Sequence, residues 1–341
     1  MTLHVKTDKN GYDVVIEPGC LACASSFLDL NRKVLIVTDK GVPEKYAKRL
    51  ARQCREPYTA VIPGGEESKS VAEWEHLLRL MLDKGFSRGD CVAAVGGGVP
   101  GDLAGFAAAC YMRGVDFYNI PTTVLSQVDS SIGGKTAVNL ESFKNIVGAF
   151  YPPRAVLVDP SVLETLHPRH IANGLAEALK MAACFDRELF GLFENADPRA
   201  SLSEIIERSL KIKRRVVEQD EKEKGLRRVL NFGHTIGHGI EGEACGLLHG
   251  ECVALGMLPM ADPDVRERLA AAMAKLGLPR EINARADKVL ARVLHDKKAA
   301  GGGVIAVLLR DVERFEFRTL SREELADRIL DVPGTVRGER S

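Results

Sequence analysis

The run Leu230-Asn231-Phe232-Gly233-His234-Thr235-Ile236-Gly237-His238, followed by Leu248-His249-Gly250-Glu251, gathers three imidazoles in a chain that holds only eight histidines. On a helix His234 and His238 lie four apart and share one face. His249 can return to that face after a loop through Gly242, Gly246 and Leu247. Neutral imidazole is the commonest protein ligand for zinc and its neighbours in the series, and a catalytic zinc takes three protein ligands and keeps a position open. A carboxylate from elsewhere would complete the set, and Glu177 in Gly174-Leu175-Ala176-Glu177-Ala178-Leu179-Lys180 is the candidate. A helical histidine pair is also a common packing or capping pattern, and spacing alone leaves that alternative standing. The metalloprotease helix is excluded, because Thr235 stands where its general-base Glu would be.

A second chemistry-bearing run lies upstream. Val92-Ala93-Ala94-Val95 leads into Gly96-Gly97-Gly98-Val99-Pro100-Gly101-Asp102, where Gly96, Gly98 and Gly101 satisfy G-x-G-x-x-G between a strand and a helix. Such glycines permit the tight turn and let backbone N–H groups approach a pyrophosphate at a helix N-terminus. A glycine-rich packing turn is the alternative. At least two strands precede this loop, so it is not the first βα turn of the ordinary dinucleotide fold. An acidic residue ending an earlier strand holds an adenosine ribose. Asp39 suits that role, as does Glu66 in Gly64-Gly65-Glu66-Glu67-Ser68-Lys69. Carboxylates there favour NAD over NADP, since they would repel a 2′-phosphate.

The elements that must position these groups divide the chain in two. Residues 12–16, 33–38, 59–62, 91–95 and 115–120 read as strands. Residues 43–54 read as a helix with Pro43 at its tolerated first position, and 70–84 as an amphipathic helix opened by a Ser70 cap. Another helix runs from the glycine loop toward Cys110. Repeated βα units with buried-looking strands imply a parallel sheet covered by helices. From about Pro160 the period turns helical, over 170–185, 200–218, 235–244 and 264–276, with a terminal hairpin at 304–309 and 315–318. The expected architecture is an α/β N-terminal domain with a parallel Rossmann-like sheet, residues 1–158, and a mainly α-helical C-terminal domain, residues 159–341.

Bulk composition narrows the functional class. The 341 residues carry 47 basic and 47 acidic groups, a formal net charge of zero, which argues against bulk attraction to nucleic acid or membrane. The longest apolar stretch, 91–112, contains Gly96, Gly97, Gly98, Pro100, Gly101 and Asp102 and makes a poor membrane helix. Met1-Thr2-Leu3-His4-Val5-Lys6 has no apolar core behind a basic start, and eight scattered cysteines form no framework. A cytoplasmic protein with reduced thiols is expected. Cys20 and Cys23 form a lone C-x-x-C without a second pair, a weak basis for zinc or redox chemistry.

Further motifs extend the glycine loop. They are Leu103-Ala104-Gly105-Phe106, Tyr111-Met112-Arg113-Gly114, Ile120-Pro121-Thr122-Thr123, Gln127-Val128-Asp129-Ser130-Ser131-Ile132-Gly133-Gly134-Lys135-Thr136, and Lys144-Asn145 before Gly148-Ala149-Phe150-Tyr151. With Glu177 and the histidine block, from Val34 to Leu309, the chain closely resembles the 3-dehydroquinate synthase family of sugar-phosphate cyclases, which serves the second step of the shikimate pathway. The resemblance implies an NAD-binding α/β domain, an α-helical metal-binding domain, an active site in the cleft between them, and a homodimer. Glu177, His234 and His249 look like the metal ligands, for zinc or cobalt, which moves His238 to the substrate side. NAD contacts fall on Asp39, Gly64, Gly65, Glu66, Glu67, Ser68, Lys69, Gly98, Val99, Pro100, Gly101, Asp102, Thr122 and Thr123. Lys135, Lys144, Val162, Leu163, Glu164 and Thr165 complete them.

The implied substrate is a seven-carbon keto acid with a phosphate and a carboxylate. Lys135, Asn145, His238 and Lys298 (or its neighbour Lys297) match the phosphate positions, with Arg113 reaching across the dimer. Lys213 and Arg227 match the carboxylate binders, although Lys211-Ile212-Lys213-Arg214-Arg215 by itself reads as a solvated helix face. Asp129, Lys180 and Asn231 match groups that hold ring hydroxyls. The implied reaction is a redox-neutral cyclisation: transient oxidation by NAD beside the metal, phosphate elimination with the phosphate taking the proton, re-reduction, ring opening and aldol closure. Pro100 departs from the usual aliphatic residue and removes one N–H from the loop. Pro259 and Pro263 should end a helix that relatives continue, leaving a trimmed surface. The rivals are a sister cyclase making an inosose or valiolone, disfavoured by intact Gly133-Gly134-Lys135-Thr136 and Arg227, and a metal-dependent glycerol or alcohol dehydrogenase.

Overall fold

A computed structural model describes residues 1–8, 11–141, 143–243, 246–296 and 303–337. They form two compact units: Met1–His167 with Lys213–Glu221, and Pro168–Ile212 with Lys222–Ser341.

The first unit is built on a seven-stranded sheet. Its strands are β1 (Thr2–Val5), β2 (Tyr12–Ile16), β3 (Lys33–Asp39), β4 (Glu56–Ile62), β5 (Cys91–Gly96), β6 (Asp116–Pro121) and a late strand Ala155–Val158. In space they run β1, β2, Ala155–Val158, β6, β5, β3, β4. Only β1 and β2 pair antiparallel. Central strands read as unbroken apolar runs because both faces are covered: all of β5 is buried. One face packs Leu21, Ile36 and Leu50, and the other Leu77, Met81, Leu103 and Phe106. The helices over it are α1 (Glu44–Ala51), α2 (Val71–Asp83) and α3 (Gly98–Cys110), the last rising from the glycine loop. Pro43 stands one residue before α1 rather than at its first helical position, and the Ser70 hydroxyl accepts from Glu73 N to open α2.

An antiparallel hairpin, β7 (Lys135–Leu140) and β8 (Phe143–Phe150), completes this unit. Val138 on its inner side joins the core that α3 shares, while Ile146 and Phe150 stay exposed. The sequence reading lacks this hairpin, because exposed apolar residues on β8 blur the two-residue period that marks a half-buried strand.

The second unit is mainly helical: α4 (Pro168–Phe185), α5 (Arg187–Asn195), the start of α6 (Leu202–Gln219), α7 (His234–Glu243), α8 (His249–Met257), α9 (Pro263–Leu276), α10 (Ala286–Asp296) and α11 (Arg322–Leu330). The hairpin Val304–Asp311 with Arg314–Leu320 forms as expected. Helices α7 and α8 approach to backbone distance. A Cβ on Gly256 would sit 2.1 Å from Gly233 O, and one on Gly237 would sit 3.0 Å from Cys252 O. Pro259 falls in the turn Leu258–Met260 and Pro263 opens α9. The expected trimmed surface is corrected here: Leu258, Met260 and Ala261 are buried. Asp262 N donates to Leu309 O at 2.9 Å, so the break seats the chain against the hairpin. Among the described residues no helix is long and apolar enough to cross a membrane.

Candidate functional site: a metal centre and a cofactor cradle

Glu177 and Lys180 lie one turn apart on α4, and both side chains are buried. Glu177 Oε1 is 3.4 Å from His234 Nε2 and 3.3 Å from His249 Nε2, and Lys180 Nζ ion-pairs with Oε2. Neither carboxylate oxygen has a well-aligned hydrogen-bond partner. One ring nitrogen from each of His234, His238 and His249 falls within 4.8 Å of the others, with His238 exposed. Burying a carboxylate is costly, and the Lys180 cation beside it offsets only part of that cost. Facing two imidazole nitrogens, it is the N and O donor set that a divalent ion such as zinc or cobalt takes, so the residues fit such an ion.

The electrostatics agree. Burial raises the pKa of Glu177, but Lys180 and His234 outweigh it and hold the carboxyl well below its usual range. Burial and then the Lys180 cation push His234 well below the usual imidazole value, keeping it in the neutral form that coordinates. Burial also works against a charged His249, yet the Glu177 and Glu241 carboxylates carry it up to about 10. A cation among these atoms would displace that proton.

Several residues brace the centre. His234 Nδ1 lies 3.3 Å from Phe232 O, and His249 Nδ1 lies 3.4 Å from Glu241 Oε2. Gly250 N donates to Asn173 Oδ1 at 2.7 Å, and a Cβ at Gly250 would lie 2.0 Å from Asn173 O, so only glycine lets α8 start there. Arg169 grips Glu251 with two bonds of 2.7 Å. Glu241 is absent from the sequence reading although a signal existed: it follows His234 by seven and His238 by three, on the same helical face. Glu223 carried no such signal. It takes a left-handed φ of 58° and accepts from Asn231 Nδ2 at 2.8 Å. Arg227 is buried nearby in sequence, in the turn Leu226–Asn231.

Of the expected cofactor residues in the first unit, Lys69, Thr122 and Thr123 meet the glycine loop directly, while Asp39, Glu66 and the 162–165 turn bond to Gly41, Asn139 and Tyr46. A Cβ on Gly96 would sit 2.5 Å from Pro100 Cγ. The proline ring therefore fills the space a side chain would need, in a first helical turn where its missing N–H costs no intrahelical bond. Thr122 N donates to Gly96 O at 2.9 Å, and Thr123 bonds Ser126 Oγ at 3.0 Å. Asp39 Oδ1 accepts from Gly41 N at 2.7 Å. Burial raises its pKa against the pull of the Gly41 and Val42 N–H groups. Glu66 accepts from Asn139 Nδ2 at 2.9 Å. Buried Lys69 pairs with Asp102 at 2.5 Å and donates to Asn145 Oδ1. Val162 O and Thr165 Oγ1 both meet the Tyr46 hydroxyl at 2.9 Å. Lys135 and Lys144 are exposed on the hairpin.

Of the expected substrate groups, Lys213 is buried and its Nζ meets Asp129 Oδ1 at 2.5 Å. That corrects the plain reading of 211–215 as a solvated face at Lys213, while Lys211 and Arg215 are exposed as that reading expects. Arg113 and Met112 are exposed with left-handed φ of 68° and 48°, a rare and costly conformation outside glycine. Lys297 and Lys298 lie outside the described residues. Cys20 is buried, its thiol pushed up to about 12 by burial, while Cys23 is exposed.

Comparison with known proteins places these features in context. Residues 59–173 match the family described as 3-dehydroquinate synthase N-terminal, and residues 174–299 match 3-dehydroquinate synthase C-terminal. The chain is 39% identical to the 3-dehydroquinate synthase of Streptococcus pneumoniae over 97% of its own length and 100% of the relative's. Against that of Alkaliphilus metalliredigens it is 39% identical over 95% and 97%. A 2-deoxy-scyllo-inosose synthase complexed with carbaglucose-6-phosphate, NAD+ and Co2+ superposes with a TM-score of 0.89 at 25% identity, covering 97% of this chain and 100% of that one. The 2-epi-5-epi-valiolone synthase of Streptomyces hygroscopicus, with NAD+ and Zn2+ bound, gives 0.86 at 30%, covering 96% and 98%.

Proposed function

The chain belongs to the 3-dehydroquinate synthase family, and we propose that it converts 3-deoxy-D-arabino-heptulosonate 7-phosphate to 3-dehydroquinate and inorganic phosphate. This is a carbon–oxygen lyase step of the shikimate pathway toward aromatic amino acids. The observation that carries the chemistry is Glu177, buried without a well-aligned donor and set against two imidazole nitrogens and Lys180.

Glu177, His234 and His249 would hold one divalent metal, zinc or cobalt. Asp39, the 64–69 loop, the glycine loop, Thr122, Thr123, Lys135, Lys144 and the 162–165 turn would hold NAD. When bound, NAD supplies a hydride acceptor regenerated within each turnover, and the metal supplies Lewis acidity at a substrate oxygen. The chain's own residues do the rest by binding and orientation. Lys213, tethered to Asp129 at 2.5 Å, and buried Arg227 would clamp the substrate carboxylate, a role in which charge-assisted bonds are strong. Lys180, Asp129 and Asn231 would fix ring hydroxyls. Lys135, Asn145, His238 and Lys298 (or Lys297) would surround the phosphate. With Asn145 Oδ1 engaged by Lys69, its amide nitrogen is the end left to donate. The departing phosphate takes the proton from carbon, so no side chain is assigned as that base. Holding the opened intermediate in a near-attack geometry serves the final aldol closure.

The strained, exposed presentation of Arg113 supports a homodimer in which this guanidinium meets the phosphate in the neighbouring subunit. The seven described cysteines are all free thiols, which suits the cytoplasm.

The test is phosphate release from the heptulosonate phosphate with trace NAD and zinc or cobalt, the product identified by mass. Stoichiometric 3-dehydroquinate without net NADH is expected. Inertness toward it with turnover of a sedoheptulose or glucose phosphate would make the chain a sister cyclase. Net NADH from a simple polyol would make it a dehydrogenase.

A further inference from the structure

We propose that Glu241 is a positioning residue of the metal centre, holding the His249 ring so that Nε2 faces the ion. This inference rests on the metal-centre reading above. Three features of the second unit carry it. Glu241 Oε2 lies 3.4 Å from His249 Nδ1, on the opposite side of the ring from the Nε2 that faces Glu177 Oε1 at 3.3 Å. A histidine that donates one nitrogen to a carboxylate is fixed in the tautomer whose other nitrogen can coordinate, and it becomes a more basic ligand. The carboxylate is also mounted rigidly. Its helix α7 is pinned on two sides where glycines admit neighbouring backbone: a Cβ on Gly237 would lie 3.0 Å from Cys252 O of α8, and one on Gly239 would lie 2.8 Å from Val289 O of α10. Third, the other acid at this end of α7 is committed elsewhere. Glu243 pairs with Lys288 at 3.3 Å and Arg292 at 3.6 Å on α10, while Glu241 turns to His249.

The two imidazoles nearest Glu177 are therefore supported unequally. His234 Nδ1 faces the neutral Phe232 carbonyl at 3.3 Å, whereas His249 faces a carboxylate. Helix α8 adds a second constraint, since Asn173 and the Arg169–Glu251 pair fix its first turn. That turn sets where the His249 backbone lies; Glu241 sets how its ring is rotated and which nitrogen carries the hydrogen.

The test measures zinc binding itself, by chelator competition on stripped full-length protein, for the wild type, Glu241→Gln, Glu241→Ala and the control Glu243→Gln. Glu241→Ala should weaken zinc roughly 10- to 100-fold. Glu241→Gln, which keeps an acceptor oxygen but not the charge, should lose less, and Glu243→Gln should match the wild type. In cobalt-loaded protein the visible ligand-field bands should shift in Glu241→Ala and not in the control, a change that a merely structural helix defect would not confine to one variant. NAD affinity should be unmoved throughout. Folded Glu241→Ala and Glu241→Gln that bind zinc within twofold of wild type, with unshifted cobalt bands, would overturn the inference alone. Wild-type protein that takes up no zinc would overturn the metal-centre reading together with it.

Discussion

The proposed metal centre of the second unit and the proposed cofactor cradle of the first are both rich in charged side chains, yet they leave those charges in opposite conditions. Around the glycine loop the candidates satisfy one another: Lys69 with Asp102 and Asn145, Glu66 with Asn139, Asp39 with the Gly41 N–H. At the centre on α4, α7 and α8, Glu177 has two buried oxygens without a well-aligned donor and is crowded by Lys180, His234 and His249. A cradle that is internally paired is shaped before its ligand arrives, which lowers the cost of ordering it. A buried carboxylate crowded by Lys180 and two imidazoles offers a donor set that an ion from outside would complete. The first site should therefore fail through loss of shape and the second through loss of its ligand.

The largest expected effect tests the second half of that contrast. His249→Ala should abolish tight zinc binding and cut phosphate release by roughly a thousandfold or more, because Lewis-acid stabilisation is worth several kcal/mol. NAD affinity, measured by fluorescence titration, should stay within about twofold of wild type. Retained zinc with full turnover would remove His249 from the ligand set.

The next effect tests the first half. Lys69→Met would leave Asp102 without its ion-pair partner and Asn145 Oδ1 without the Lys69 donor. Removing one partner of a largely buried charged pair should cost about 2–3 kcal/mol of stability. Chemical denaturation should show that loss together with weaker NAD binding, while zinc affinity holds. A variant equally stable but deficient in zinc would reverse the contrast drawn here.

Legibility in the sequence divides along the same line. The proposed metal centre is made of side chains whose spacing along two helices offers candidates, while the choice of Glu177, His234 and His249 comes from the family resemblance. Glu241 sat within that pattern and only its partner was hidden. The cradle is made of backbone and of pairs distant in sequence. The loop Gly96 to Asp102 was readable from the strand before it and the helix after it, but Lys69 meeting Asn145 depends on the β7–β8 hairpin, which has no clean period. The Lys213–Asp129 pair joins residues 84 apart. It depends on Lys213–Glu221, the end of α6, grouping with the first unit, which no local pattern announces. The buried turn Leu258–Met260 is illegible for a related reason: prolines stop a helix but do not say what the chain does next.

A sharper probe separates the cradle's cofactor groups from those assigned to the substrate. Lys135 is exposed at the start of β7 and is proposed to meet both NAD and the substrate phosphate. If its main duty is the substrate phosphate, Lys135→Ala should weaken phosphate-bearing ligands about 10- to 100-fold, the worth of one charge-assisted bond, and NAD far less. Calorimetric titration of each ligand would decide. Loss of NAD affinity with phosphate-bearing ligands unmoved would make Lys135 part of the cradle alone.

The smallest effect asks whether the cradle's shape depends on a helix end that touches none of its charges. Ser70 follows Lys69 directly and caps α2, its hydroxyl accepting from Glu73 N at 3.3 Å. The same turn is held to the hairpin by Asn139 N donating to Lys69 O at 2.8 Å. Ser70→Ala removes the side-chain acceptor while leaving that backbone bond, so the loss should be about 1 kcal/mol, the usual worth of an N-cap. If pre-shaping governs the first site, this small loss should still reach the cofactor. Fraying the first turn of α2 frees the backbone that carries Lys69, and NAD should bind a few-fold more weakly with zinc affinity unmoved. Destabilisation of this size with unchanged NAD binding would show that the Lys69–Asp102 pair holds the loop without help from the helix. The cradle would then be braced by its charges, as the metal centre is, rather than by backbone.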